Sequence, residues 1–410
     1  MVGSVLAAAA VLAVGVAVSP GALDPSWSGD GVATLDLGDD QRASEVLALP
    51  DGGVLVAGSE WALGGVLVRY GPDGRLDRTF GGGDGVVGVR IGGRATGYAA
   101  AARRDDGTIV AAGSTDLPEE GDGGDVLVVR HLADGSLDPT FGGGDGWVVV
   151  YLDGIQSVDA VAVLDDGGVA VATIGFGAAG AVVRLTADGD LDAAFDGDGV
   201  VELPGLGGWD VVATAGGGVV VAGDADGVPA LFALRADGSP DPAFGGGDGV
   251  ATVDAYGAGS ELHGVARHSS GFFATGSGKV NRHNDDLLVA AFDATGALDA
   301  RFSGDGIFVA PLGNLFDQGN AVAVQPDGGV LVLGQDHTGT GASGEVPVLL
   351  RLRVDGHPDQ TFGGTGLVRF PSRYFPLRAL AVTPAGAVVA GDRYDPFGGR
   401  DGIAVFRIVI

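Results

Sequence analysis

Seven copies of a Leu-Asp-x-x-Phe unit, four short extended runs in each copy, and 79 glycines among 410 residues predict an all-β chain. The expected architecture is a seven-bladed β-propeller with four antiparallel strands per blade. The copies are LDPSW at 23–27, LDRTF at 76–80, LDPTF at 137–141, LDAAF at 191–195, PDPAF at 240–244, LDARF at 298–302 and PDQTF at 358–362. Neighbouring copies lie 49 to 61 residues apart. A period of that length marks units that cannot bury their apolar faces alone and must stack.

The second unit shows the order of elements. LDRTF is followed by GGGDG at 81–85, an apolar run at 86–91, a polar gap and a run at 98–102. Asp106-Gly107 then separates this run from 108–112, and Asp-Gly between extended runs signals a hairpin because its turn needs positive φ. After a variable connection, 126–130 leads into the next DGxLD. The central pair of runs recurs at 46–49 with 54–57, 158–163 with 169–173, 211–215 with 219–222, 263–268 with 272–275, 321–324 with 330–333, and 380–382 with 388–390. These runs are rich in β-branched residues and alternate poorly, as strands covered on both faces do.

The repeat frame leaves the blade frame open. If the run after GDG is innermost, each unit is one blade; if it is outermost, an N-terminal strand completes the last blade as a clasp. The unit pattern enters at Leu23-Asp24 with no strand before it and ends in the run 405–410 with no DGxLD after it, so each end supplies what the other lacks. An Arg on the last run of a unit precedes the next LD aspartate by eight residues: Arg69 with Asp77, Arg130 with Asp138, Arg184 with Asp192, and Arg351 with Asp359. Arg407 would then meet Asp24 across the junction. Ala233 and Ala291 break the rule before Asp241 and Asp299, where Arg235 and Arg301 lie close enough to substitute.

The combination of DGxLDxxFG, a following GDG, a DGG hairpin with Val-x-Val-Ala-Gly and a terminal Val-Arg strand resembles the bacterial delta-60 repeat, from Leu23 to Ile410. The resemblance implies a β-propeller, commonly in secreted or surface proteins, and implies no catalytic residues. Pro240 and Pro358 replace the usual Leu, Trp27 replaces Phe, and Thr365 stands where other units have the GDG aspartate.

With 53 acidic and 23 basic side chains the formal charge is -30, which repels a phosphate backbone or an anionic membrane and excludes nucleic acid as a partner. No cysteine is present, so disulfides, thiolate metal sites and thiol catalysis are excluded. Residues 2–18 are an apolar run ending at Ser19-Pro20-Gly21, with Gly15 and Ala17 placed as in a secretory signal cleaved after Ala17, although no Lys or Arg precedes it. The expected organisation is an N-terminal segment 1–22, a signal peptide or apolar segment, and a propeller domain 23–410, secreted or at the cell surface, monomeric, with no membrane span in the mature chain.

Repetition argues for scaffolding. A residue needed for chemistry is rarely needed seven times around a ring, so Asp24, Asp77, Asp138, Asp192, Asp241, Asp299 and Asp359 are read as structural N-caps of a short turn whose aromatic plugs between blades. The GGGDG segments lack the lysine of a phosphate loop and the tandem copies of a calcium β-helix, so they are read as tight turns. Variation should mark function, and the connection after the second run of the hairpin varies most: 114–125, 277–286, 335–345 and 392–401 are long. The first carries Asp116, Glu119, Glu120, Asp122 and Asp125; the second carries Lys279, Arg282, His283, Asp285 and Asp286. These ten are the ligand-face candidates. Five carboxylates in one loop allow calcium through oxygen ligands, but a solvated acidic loop is the simpler reading, and neither a metal site nor a cofactor is assigned.

The expected function is a non-enzymatic binding or display module that recognises a glycan or protein through these loops. The alternative is a polysaccharide-acting propeller enzyme, a glycoside hydrolase or lyase. It would need two carboxylates from different blades facing each other across the channel, for which Glu202 and Glu261 stand out because glutamate is rare here.

Overall fold

The computed structural model describes residues 18–410 apart from 39–40, 93–95, 116–124, 153, 177–178, 204–207, 254–258, 311, 314–315, 338–344, 375, 282–283 and 395–399. Seven four-stranded antiparallel sheets form a ring of blades. Blade 1 runs outward through Arg42–Ala48, Val54–Glu60, Gly64–Tyr70 and Val86–Val89. The innermost strands of the other blades are Thr96–Arg103, Ile155–Val163, Gly208–Ala213, Glu261–His268, Gln318–Val324 and Leu377–Thr383. Each packs beside the innermost strand of the next blade, so together they surround a central channel.

The strand after GDG is therefore the outermost one, and the sequence repeat straddles two blades. Val32–Leu35 accordingly pairs with Arg400–Ile408 and becomes the fourth strand of blade 7, closing the ring with both ends of the described chain. The closure begins earlier than the expected domain start at residue 23. Gly21 N donates to Val409 O, and Gly363 N donates to Pro20 O. The same backbone bond joins repeats elsewhere, as from Gly81 to Asp134 and from Gly142 to Asp188, so Pro20-Gly21 acts as the Asp-Gly turn for the seventh repeat.

The core lies in seven seams between blades. The seven motif aromatics, Trp27, Phe80, Phe141, Phe195, Phe244, Phe302 and Phe362, are at most 2 % exposed and sit in these seams. Trp27 packs among Val54 and Val56 of blade 1 and Val388 and Val405 of blade 7, and Phe80 packs between Leu55 and Ile109. A turn glycine of the following repeat lies against five of these rings: Gly74 on Trp27, Gly135 on Phe80, Gly189 on Phe141, Gly296 on Phe244 and Gly356 on Phe302. At Gly74, with φ +79°, an added Cβ would meet the Trp27 ring at 2.8 Å and Ser28 N at 2.6 Å, so both the turn and the contact require glycine.

Each motif aspartate accepts a hydrogen bond from the backbone two residues on, as in Asp138 Oδ1 from Thr140 N at 2.9 Å, and its carbonyl accepts from the aromatic's N–H. The segment forms a single capped turn rather than a helix. The second oxygen meets the arginine of the third strand in five blades: Arg69–Asp77 at 3.0 Å, Arg130–Asp138 at 2.7 Å, Arg184–Asp192 at 2.8 Å, Arg351–Asp359 at 2.9 Å and, across the ring closure, Arg407–Asp24 at 2.7 Å. The guanidinium also reaches the next repeat. Arg184 donates to Gly217 O and Ala236 O, Arg407 to Pro72 O, and Arg130 to Ala187 O, so one side chain fastens turn, blade and neighbour. Where Ala291 interrupts the rule, Arg301 pairs with Asp299 at 2.6 Å; Arg235 turns instead to Asp237 and Ser239.

One buried histidine makes a stability prediction. His131 Nδ1 donates to Gly135 O at 2.9 Å and Nε2 accepts from the Tyr98 hydroxyl at 3.0 Å, an arrangement for the neutral ring. Burial lowers its pKa from 6.5 to about 4. Between these values the unfolded chain takes up a proton that the folded chain refuses, so stability falls as the pH drops from about 6.5 to 4, by about 3 kcal/mol for this group. Urea unfolding of the wild type and of His131→Phe should show the variant gaining stability relative to the wild type as the pH drops through that window, by up to about 3 kcal/mol.

Candidate functional site

The antiparallel order places the start of every innermost strand, the connections between second and third strands, and the outer-to-inner crossovers on one face of the ring. The hairpin turns and the Leu-Asp segments occupy the other. All three large aromatics exposed among the described residues, Trp61, Tyr151 and Phe316, fall on the first face. The channel opens on that face into a cavity of about 850 Å³, within the range of small-molecule sites. A shallower depression of about 1050 Å³ on the opposite face is lined by Ser28 and residues 70–78. It is built from the turn apparatus that every repeat shares.

The channel lining has a rule of its own. Every innermost strand carries a β-bulge at the same place, where one extra residue falls between two consecutive pairs with the second strand. In blade 1, Ala43 pairs with Gly58 and Glu45 with Ala57, leaving Ser44 out. The residues left out in blades 2 to 7 are Ala99, Asp159, Trp209, His263, Asn320 and Arg378. All seven line the cavity. Seven geometrically equivalent positions thus carry seven different side chains, beside a second-strand position that is glycine in six blades and threonine in one.

A bulge frees backbone groups from the ladder, and these need partners. Neighbouring blades supply them. Val265 N donates to Asp210 Oδ2 at 2.8 Å, Ala43 N to Asp392 Oδ1 at 3.1 Å, and Gly319 O accepts from His263 Nδ1 at 3.0 Å. His263 Nε2 lies 3.2 Å from Glu261 Oε1, so both ring nitrogens face oxygen acceptors, and Trp209 meets the ring edge-on at 5.1 Å between centroids. The His263 contact holds the Glu261 carboxyl below its usual value. The lining is completed by Arg42, Ser157 and Gln318, two residues before the bulge, and by Glu45 and Asp210 just after it.

Three carboxyls behave differently from Glu261. Burial among the packed inner strands pushes Glu45 up to about 8, with Asp210 adding a like charge, and pushes Asp159 and Asp210 up to about 7. Asp159 Oδ2 has no hydrogen-bond partner among the described residues. Groups whose folded pKa is raised favour folding most below their unfolded values near 4, and that contribution is lost as the pH rises through about 7 to 8. These three groups should therefore lower the denaturation midpoint progressively from about pH 4 to 8, with no further loss from them above that, and Glu45→Gln should flatten the fall.

The loop candidates fare unevenly. Asp116, Glu119, Glu120, Asp122, Arg282 and His283 lie outside the described residues. Asp125 begins the third strand of blade 2 and is buried, as is Asp286, so neither presents a free carboxylate to a ligand. The connection 277–286 was expected as a loop, but strand pairing continues through Gly278↔Asp286 and Lys279↔Asp285 to Asn281↔Asn284. The segment is an extended hairpin. Asp285 is half-buried and its backbone bonds Asp317 N and bridges Phe316. Glu202 stands on the outermost strand of blade 3, exposed and away from the channel, so it does not face Glu261. Among the described residues no three His, Asp or Glu side chains gather as a cation cage, and no helix is long and apolar enough to cross a membrane.

The fold and the lumen define a seven-bladed β-propeller with a polar, blade-specific channel mouth. Residues 49–80, 104–141, 169–195 and 325–362 match a family model described as "Domain of unknown function (DUF5122) beta-propeller", which supports a β-propeller repeat family. Each matched segment ends on the motif aromatic. Comparison with curated proteins finds no match. Among solved structures, the chain is similar to the WD40 repeats of RRP9 at 12% identity and a TM-score of 0.53, over 95% of this chain and 99% of that one. It is similar to U3-55K at 12% and 0.53, over 92% and 98%, and to a protein from Lactobacillus plantarum at 14% and 0.51, over 87% and 99%. At these identities the likeness shows the fold alone.

Proposed function

We propose that the protein is a ligand-binding propeller, exported or displayed at the cell surface, that takes a small polar ligand or the end of a polar polymer in the loop-side mouth of its channel. The ring of seven unlike bulge residues carries this reading. Recognition of a polar ligand needs side chains of several kinds at one place, and the ring supplies acid, indole, imidazole, amide and guanidinium. The exposed aromatics of the same face extend a surface on which a longer ligand can lie. Export is supported by the apolar run at 2–18.

The acids Glu45, Asp159 and Asp210 favour one further reading, a hydrolase or lyase in the same mouth, because raised carboxyls are the proton donors such chemistry uses. Both readings share a site and differ in turnover. Thermal unfolding against a glycan panel, followed by analysis of the recovered glycan, separates them: a shift with the glycan intact supports binding, and a shortened or unsaturated glycan supports the enzyme. No shift with any glycan would count against both.

A further inference from the structure

Two arginines stand on adjoining walls of the mouth. Arg378 occupies the bulge of blade 7, and Arg42 lies two residues before the bulge of blade 1, on the neighbouring inner strand. Both are exposed and both line the same cavity. The repeat arginines Arg69, Arg130, Arg184, Arg351 and Arg407 are held by aspartates, whereas Arg42 has neither an ion pair nor a side-chain hydrogen bond among the described residues. An exposed guanidinium without a partner in a polar cavity offers an anion a local charge-assisted site, despite the negative charge of the chain as a whole.

Four carboxyls share the lining, and burial disfavours the charge of three of them. It raises Glu45, which accepts from Val46 N at 2.8 Å, to about 8 and Asp159 and Asp210 to about 7, while Glu261 lies 3.2 Å from His263. Across the channel blade 4 offers the half-buried indole of Trp209, and blade 6, beside blade 7, offers the amides of Gln318 and Asn320, which bond each other at 3.0 Å. Planar guanidinium forks fit a carboxylate, while an indole with amides fits a ring bearing hydroxyls. Building on the proposed channel site, we infer that its ligand is a sugar acid, with the carboxylate at Arg42 and Arg378 and the sugar ring against the Trp209 wall.

Calorimetric titration of the whole chain with glucuronate, galacturonate, an oligouronide, glucose and inorganic phosphate tests this, using wild type, Arg42→Ala, Arg378→Gln and Trp209→Ala, each first checked for a native melting transition. A uronide should bind at least about tenfold more tightly than glucose, its affinity should fall with added salt, and Arg42→Ala should erase the preference. If the oligouronide alone binds, the ligand is a polymer end; if the monomers bind equally well, it is the free sugar acid. Equal binding of uronide and glucose, or unchanged uronide affinity in both arginine variants, overturns the inference while Trp209-dependent glucose binding keeps the channel site. Phosphate binding without sugar binding overturns the sugar acid, and no binding by any probe overturns the site as well.

Discussion

A chain that begins at residue 36 should fail to form the closed ring. It lacks the fourth strand of blade 7, which pairs Val32–Leu35 with Ile403 to Phe406, and it lacks Trp27 in the seam between blades 7 and 1. It also leaves Arg407 with no Asp24, a guanidinium otherwise held under the Trp27 ring at 4.8 Å. Losing the Trp alone removes about 3 to 5 kcal/mol, a large share of the stability of an ordinary domain. The expected result is a protein without a cooperative melting transition and with an exposed edge strand that associates. A chain beginning at Leu23 loses the Pro20-Gly21 turn against Gly363 and should melt below one beginning at Val18. Circular dichroism melts of the three chains decide this.

The second large effect concerns the repeated ion pair. Arg130 and Asp138 are 6 % and 7 % exposed, and Arg130 also bonds Thr140 and the next repeat. Asp138→Ala leaves a covered guanidinium without its partner and should cost about 3 kcal/mol. The double variant Arg130→Met with Asp138→Leu should recover part of that loss, since two apolar groups leave no orphan charge. Arg301→Ala, which removes a solvent-facing partner of Asp299, should leave the urea midpoint almost unchanged. The same motif is thus a fastener in one blade and ornament in another.

Much of the scaffold was legible in the sequence because scaffolding repeats. The aromatics, the capping aspartates and the eight-residue Arg–Asp spacing each recur, and each has a local geometric cause. The blade frame was not legible, because a closed ring of four-stranded sheets reads the same in sequence when shifted by one strand. Only the pairing of Val32–Leu35 with the last strand fixes it.

The channel was missed for a different reason. Apolar runs mark where strands are sandwiched between blades and so start the inner strands near Val46, Val158, Val211, Ala321 and Leu380, whereas the strands begin at Arg42, Ile155, Gly208, Gln318 and Leu377. Their first halves face an aqueous lumen and are polar, which in sequence looks like loop. The signal was present in the chain. Aligning the seven hairpins on the glycine or threonine of the second strand, such as Gly58, Gly113 and Thr173, brings Ser44, Ala99, Asp159, Trp209, His263, Asn320 and Arg378 into one column. It is a column without a consensus, and it lies next to the most regular part of the repeat. Variation was sought instead in connection length, which reports where the surface tolerates insertion.

The most direct test of the account replaces Asp159, Trp209, His263 and Asn320 together by alanine, the residue that blade 2 already carries at that position as Ala99, and compares glycan binding with wild type. Trp61→Ala, on the rim of the same face, serves as the control. The account predicts that the four-fold variant keeps a cooperative melt, loses binding to every glycan that wild type retains, and that Trp61→Ala still binds. Undiminished binding by the variant with the blanked channel would contradict it.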